Sequence, residues 1–209
     1  CYSLPLTKKN LTTTMPSFLA NLASKKIILG SNSPRRQELL RGLELDFEVR
    51  VHPIEEDIPT DLPAQYAAAY LSKLKADAFL TLQESELLIT ADTVVIDGDK
   101  VLGKPMDEEE AFEMLKRLSG ATHTVITAVT LKDKKYSITL EDEAKVTFRH
   151  LDQEEIRHYL KYYQPYDKAG AYGIQEWIGF VGVSSITGSY FTVMGFPLHL
   201  VYAQLKKWG

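Results

Sequence analysis

Lys26-Ile27-Ile28-Leu29-Gly30-Ser31-Asn32-Ser33-Pro34-Arg35-Arg36 decides how the rest of the chain reads. An apolar run closes on a glycine, the pattern of a short buried strand. Ser33 has the side chain of a helix N-cap, Pro34 suits the first helical position, and residues 35–41 continue as helix until Gly42 stops it. A strand, a small-residue turn and a helix start form the opening unit of an α/β protein. The same unit has chemistry. The first turn of a helix leaves backbone N–H groups free and carries partial positive charge, so it cradles phosphate. Ser31 and Ser33 add hydroxyls, and Arg35 and Arg36 add guanidinium forks that match phosphate oxygens. A capped surface helix with two solvated arginines reads equally well from this stretch alone, and the Gly-Lys-Ser/Thr ending of a P-loop is absent.

Outward from that unit, helices and strands intermix. Residues 47–52 read as a second strand. Residues 63–82 read as a helix with Ala67, Tyr70, Leu71, Leu74 and Ala78 on one face and Lys75 on its flank. Residues 87–96 form a near-continuous apolar strand that turns at Asp97-Gly98 and returns over 100–102. Asp107 with Glu110, and Asp152 with Glu155, have capping-box spacing and start helices that end near Gly120 and Tyr163. Residues 122–131 and 136–148 are β-rich, 180–193 reads as strand, turn, strand, and Pro197 opens a terminal helix. The expectation is an α/β fold, a mixed twisted sheet with flanking helices, in one catalytic domain over residues 26–209. Residues 1–25 read as a polar tail, with Met15 as a candidate start that would make 1–14 an upstream extension.

The chain has 209 residues, of which 44% are hydrophobic and 25% charged, enough material for a real core. A net charge of -4 argues against general attraction to nucleic acid or membranes, and makes any local cluster of Arg and Lys informative. No apolar run reaches the roughly 18–20 residues of a spanning helix. The first residues lack a signal peptide's apolar core. Cys1 is the only cysteine, so no intrachain disulfide can form. Together these point to a cytoplasmic protein.

Four further stretches carry candidate chemistry. Asp92 interrupts the apolar strand Thr90-Ala91-Asp92-Thr93-Val94-Val95. A carboxylate there is costly unless it is paired, hydrogen-bonded or metal-bound, and it suits a general base or a metal ligand better than an Asp merely satisfied at a bulge. In Leu102-Gly103-Lys104-Pro105, the hairpin aims Lys104 at the region of Asp92, or leaves it in solvent. Glu55-Glu56 supplies oxygen ligands for magnesium or manganese, or faces water. In residues 168–175 (KAGAYGIQ), small residues let the loop lie against a flat ligand, and Gln175 offers the acceptor and donors a base edge requires; a tight structural turn is the plain alternative. The histidines show no zinc spacing. Tyr159, Tyr162, Tyr163 and Tyr166 read as packing or as the face of a homodimer.

Taken in order, SNSPRRQELL (31–40), IEE (54–56), KLKADA (73–78), ADTVV (91–95), LGKP (102–105), LSGATHTVITAV (118–129), DKAGAYGIQ (167–175) and GSYFTVMGFPL (188–198) resemble the Maf family of nucleoside triphosphate pyrophosphatases. The resemblance implies two lobes around a central cleft, and hydrolysis of a nucleotide to monophosphate and pyrophosphate with a divalent cation. It implies Asp92 as proton acceptor and metal ligand, and Ser33, Arg35, Arg36, Glu56, Lys75 and Lys104 as phosphate and metal residues. Arg35, Thr93 and Gln175 match the branch that acts on dTTP and UTP. Glu176-Trp177-Ile178 departs from the small, glycine-rich stretch usual after that glutamine. A sugar-nucleotide transferase and a non-catalytic nucleotide-binding division regulator are the competing readings. The first would make a UDP-sugar from UTP and a sugar phosphate; the second would bind without turnover.

Overall fold

The computed structural model describes residues 17–209, and the candidate start at Met15 lies outside them. Seven strands form one mixed sheet in the order β2-β1-β3-β5-β6-β7, with β4 on the remaining edge of β3. The strands are β1 (Lys26–Leu29), β2 (Phe47–Val49), β3 (Glu86–Asp97), β4 (Lys100–Leu102), β5 (Thr122–Lys132), β6 (Ser137–Phe148) and β7 (Val183–Thr187). β1 runs parallel to β2 and β3, and every other pairing is antiparallel. The helices are α1 (Pro34–Arg41), α2 (Ala67–Asp77), α3 (Glu108–Leu118), α4 (Gln153–Tyr163), α5 (Trp177–Gly182), α6 (Tyr190–Val193) and α7 (Leu198–Leu205). The expected α/β architecture is the observed one.

Strand alternation sorts the core. Leu87, Ile89 and Ala91 of β3 join Leu29, Leu40, Val201 and Leu205 in one apolar cluster. Val95, further along the same face, belongs to a second cluster with Leu115, Phe148, Tyr159 and Ile178. These two clusters are the two lobes, threaded by the same long strands. On the opposite face, Val94 and Ile96 pack beneath Ala67 and Ala68 of α2.

A gap in the sheet sets the position of the cleft. One edge of β3 pairs with β5 over residues 88–96. The other edge pairs with β1 at residues 86–89 and with β4 at 95–97. Among the described residues, no strand covers that edge from 90 to 94, the segment that holds Asp92 and Thr93.

Helix ends follow the local chemistry. Asp107 accepts the Glu110 N–H at 2.9 Å, while the Glu110 carboxylate reaches the Met106 N–H at 2.7 Å, one residue before the cap. Glu108–Glu110 begin α3 and Lys116 and Arg117 end it, which suits the helix dipole. Asp152 and Glu155 complete a reciprocal capping box on α4.

Three expectations need correction. The polar-tail reading of residues 1–25 fails within the described part: Ser17–Leu22 is a 3-10 helix whose Leu19 and Leu22 are wholly buried. Asn21 locks it to the C-terminus by donating to the carbonyls of Leu205 at 2.8 Å and Trp208 at 2.7 Å. The helix expected over 63–82 is a 3-10 turn followed by α2, which stops at Asp77 because Phe79 leaves the helical path to pack with Ile28 and Leu88. The strand-turn-strand expected over 180–193 is helix, strand, helix. Apolar alternation over such short pieces does not distinguish the two, and Gly179 admits the helix by letting its backbone close on the Ile174 carbonyl, where a Cβ would lie at 1.9 Å. Of the four tyrosines, Tyr159 is buried packing, whereas Tyr162 is 64% exposed.

Candidate active site

β1 delivers the chain to the turn at 30–33, and Gly30 lets that turn press on β3, since a Cβ there would lie 2.7 Å from Thr90 Cγ2. Ser33 caps α1, with its hydroxyl accepting the Arg36 N–H at 3.5 Å. Ser31 Oγ accepts the Ser33 N–H at 3.3 Å. Arg36 then turns inward. Its Nε donates to the Gly195 carbonyl at 3.0 Å, Nη2 to Thr93 Oγ1 at 3.1 Å and Nη1 to Ser31 Oγ at 3.4 Å. A guanidinium has five N–H donors, so two remain for a ligand. Burial lowers the Arg36 pKa most; the Asp92 carboxylate opposes this, Arg35 adds to it and Glu56 opposes it again.

Asp92 and Thr93 alternate to opposite faces of the open β3 edge. Thr93 takes Arg36; Asp92 meets α2. Lys75 lies one turn beyond Leu71 and Ser72, on the helix face pressed to the sheet. Its ammonium donates to Asp92 Oδ1 and lies 3.2 Å from Glu56 Oε1. Lys104, on the exit from β4, stands 4.0 Å from the other Glu56 oxygen. Two carboxylates thus share one partly buried ammonium.

All of these groups line one cavity of about 850 Å³. Ser31, Ser33, Arg35, Arg36, Glu56, Lys75, Asp92, Thr93, Lys104 and Gln175 are each on its wall, whereas Glu55, the other half of the acidic pair, is exposed and does not line it. Five cationic side chains line it against three carboxylates. In a chain of net charge -4 that is the local concentration of positive charge an anion requires.

On the far wall, Gln175 has its Oε1 buried with no hydrogen-bond partner. An orphaned buried acceptor is costly, and a ligand N–H would satisfy it.

Three contributors were not legible beforehand. Lys168 lines the cavity within a motif noted only for its small residues and glutamine. Thr127, directly across from Thr93, hydrogen-bonds it at 3.0 Å and donates to the Thr192 carbonyl at 2.7 Å, tying the Arg36 partner to α6. The cross-strand threonine pair is the one signal that could have marked it. Gly195, within the stretch 188–198 but given no role there, has φ of 97° and lies so close to Thr93 that a Cβ would sit 3.0 Å from its hydroxyl.

Among the described residues, no group of three or more His, Cys, Asp or Glu is placed to hold a metal. The donor set still fits one kind of ion. A hard divalent cation that keeps waters and shares substrate phosphates needs only one or two protein carboxylates, and Glu56 and Asp92 are two on one wall.

The fold and the site define an α/β protein with a cation-rich cleft that faces a strand-borne carboxylate. The family described as Maf-like protein matches residues 26–208, and the chain belongs to the Maf family. A dTTP/UTP pyrophosphatase of Porphyromonas gingivalis is 50% identical over 195 residues, covering 91% of this chain and 98% of its own. Those of Bacteroides thetaiotaomicron, at 50% over 191 residues (90% and 99% covered), and Flavobacterium johnsoniae, at 49% over 185 residues (88% and 95% covered), are similar throughout. No helix among the described residues is long and apolar enough to cross a membrane.

Proposed function

We propose that this chain hydrolyses dTTP and UTP to the monophosphate and pyrophosphate in the cytoplasm, with a divalent cation, magnesium or manganese. The observation that carries the reading is that Asp92 and the arginine pair opening α1 line the same cavity. The relatives' activity and their near-complete overlap with this chain support it.

The triphosphate lies along the wall formed by residues 31–36, where the two spare N–H groups of Arg36, the Arg35 guanidinium and the Ser33 hydroxyl bind its oxygens. Asp92 Oδ1 is engaged by Lys75, which fixes the carboxylate so that Oδ2 accepts a proton from water aimed at the α-phosphorus. The water oxygen bonds to that phosphorus, the bond to the α–β bridging oxygen breaks, and the electron pair leaves with pyrophosphate. Lys75 and Lys104 offset the charge that develops there. A divalent cation on Glu56, Asp92 and the phosphates would further polarise the α-phosphate. Gln175 reads the base: its orphaned acceptor matches the ring N–H of uracil or thymine.

Pyrophosphate release measured across a nucleotide panel, with and without magnesium or manganese, tests the reading. UTP and dTTP should be the best substrates, and Asp92→Asn should fold and bind but turn over about 10²- to 10⁴-fold more slowly. Near-normal turnover by that variant removes Asp92 from its role. A UDP-sugar formed when sugar phosphate is added, or binding with no turnover at all, overturns the hydrolase reading.

A further inference from the structure

The function above gives Glu176 no task, although it directly follows Gln175. Its carboxylate is held at both ends. The Tyr159 phenol donates to Oε2, and the Lys168 ammonium lies 3.1 Å from Oε1. Tyr159 in turn accepts the Gly173 N–H at 3.0 Å. The Glu176 N–H closes the turn onto the Gly173 carbonyl at 3.0 Å. Gly173 has no side chain where the carboxylate lies; a Cβ there would be 2.7 Å from Glu176 Cδ. The segment from 168 to 175 is therefore pinned at its start through Lys168 and near its end through Gly173. Its middle needs pinning, because Ala171 is buried with φ of 59°, a left-handed conformation that an alanine adopts only when its surroundings impose it.

We propose that Glu176 is a positioning residue for base selection: its carboxylate sets the turn that presents Gln175 to the nucleobase. This rests on the reading of Gln175 given above. A half-buried network of Lys168, Asp167 and Glu176 adds little stability, because desolvation offsets the attraction between its charges. What such a network supplies is a single geometry, and the group it orients is Gln175, whose buried acceptor has no protein partner. Burial, reinforced by the Glu176 hydrogen bond, pushes the Tyr159 phenol far above its ordinary value, so it stays a donor to that carboxylate at any working pH.

The test compares kcat and KM on UTP and on GTP, which share the triphosphate and differ in the base, for the wild-type chain, Glu176→Ala, Glu176→Gln and Tyr159→Phe. Glu176→Ala should lower kcat/KM on UTP by about tenfold, the value of one well-placed hydrogen bond, and leave GTP within about twofold. Tyr159→Phe removes the other anchor with little change of shape and should narrow the UTP-to-GTP ratio in the same direction. Glu176→Gln, whose single amide oxygen can still accept from Tyr159 while the Lys168 contact is lost, should recover part of the ratio. Equal losses on both nucleotides, or an unchanged ratio in Glu176→Ala and Tyr159→Phe, would overturn the proposal while leaving the hydrolase standing. A wild-type chain that releases pyrophosphate from neither nucleotide overturns both together.

Discussion

The two walls of the cavity are built by different means. The wall at 26–41 is a strand fixed in the sheet on both edges, a closed turn and a capped helix, and its key side chain, Arg36, has three protein hydrogen bonds. The wall at 167–182 has a single 3-10 turn between Lys168 and α5, two consecutive residues of positive φ, and side-chain bonds from α4 in place of a ladder. On the proposed reading the first wall receives phosphates, which every nucleoside triphosphate offers alike, through side chains carried on a regular strand and helix. Bases differ, and on the same reading the wall beside them is held by a few replaceable side chains. The largest test of this contrast is Arg36→Ala. Loss of charge-assisted hydrogen bonds should lower kcat/KM by about 10- to 100-fold, and by the same factor for UTP, dTTP and GTP. A loss confined to one base would erase the division between the walls.

That division also marks what the sequence could reveal. Ser33, Pro34 and Gly42 act within a few residues of one another, so the first wall was legible as strand, cap and helix, arginines included. Asp92 was legible because a carboxylate in an apolar strand demands a partner; that the partner would be Lys75 depended on how α2 crosses the sheet. The second wall was legible only as a motif. Its conformation comes from Tyr159 on α4 and from the fit of Gly179 against Ile174, contacts between elements that local periodicity does not encode. The same holds for Gly195, whose positive φ serves Arg36 from 159 residues away.

A smaller effect sharpens the comparison through pH. His123 is buried on β5, with Nε2 at 2.7 Å from the Tyr172 hydroxyl and its ring stacked on Phe148. It therefore supports the second wall from beneath. Burial lowers its pKa from 6.5 to about 4, with a small opposing pull from Asp97. Nδ1 has no partner, so a proton there would put an unpaired charge in the core. Because the unfolded chain takes up this proton first, the histidine costs nothing above pH 6.5, and stability falls as pH drops from 6.5 towards 4. The share lost by pH 5 is about 2 kcal/mol. Urea unfolding of the wild type and of His123→Gln at pH 7, 6 and 5 isolates it: the difference between their stabilities should shift by that amount across the window. Parallel curves would mean that His123 titrates normally in the fold.

The smallest effect falls on the first wall, at Ser33, where a structural role and a ligand role overlap. Its hydroxyl caps α1 through a long contact, 3.5 Å to the Arg36 N–H, so Ser33→Ala should cost about 0.5–1 kcal/mol of folding stability, the lower part of the usual range for a lost cap. Glycine at the same position usually costs only a few tenths of a kcal/mol, because it allows water to reach the free N–H groups. The two variants therefore separate the roles. If Ser33 only caps, Ser33→Gly restores stability and KM together. If its hydroxyl also binds phosphate, Ser33→Gly regains stability in urea but keeps the raised KM of Ser33→Ala, equally on UTP and GTP. The second result is the one expected, since Ser33 stands on the cavity wall beside the spare donors of Arg36.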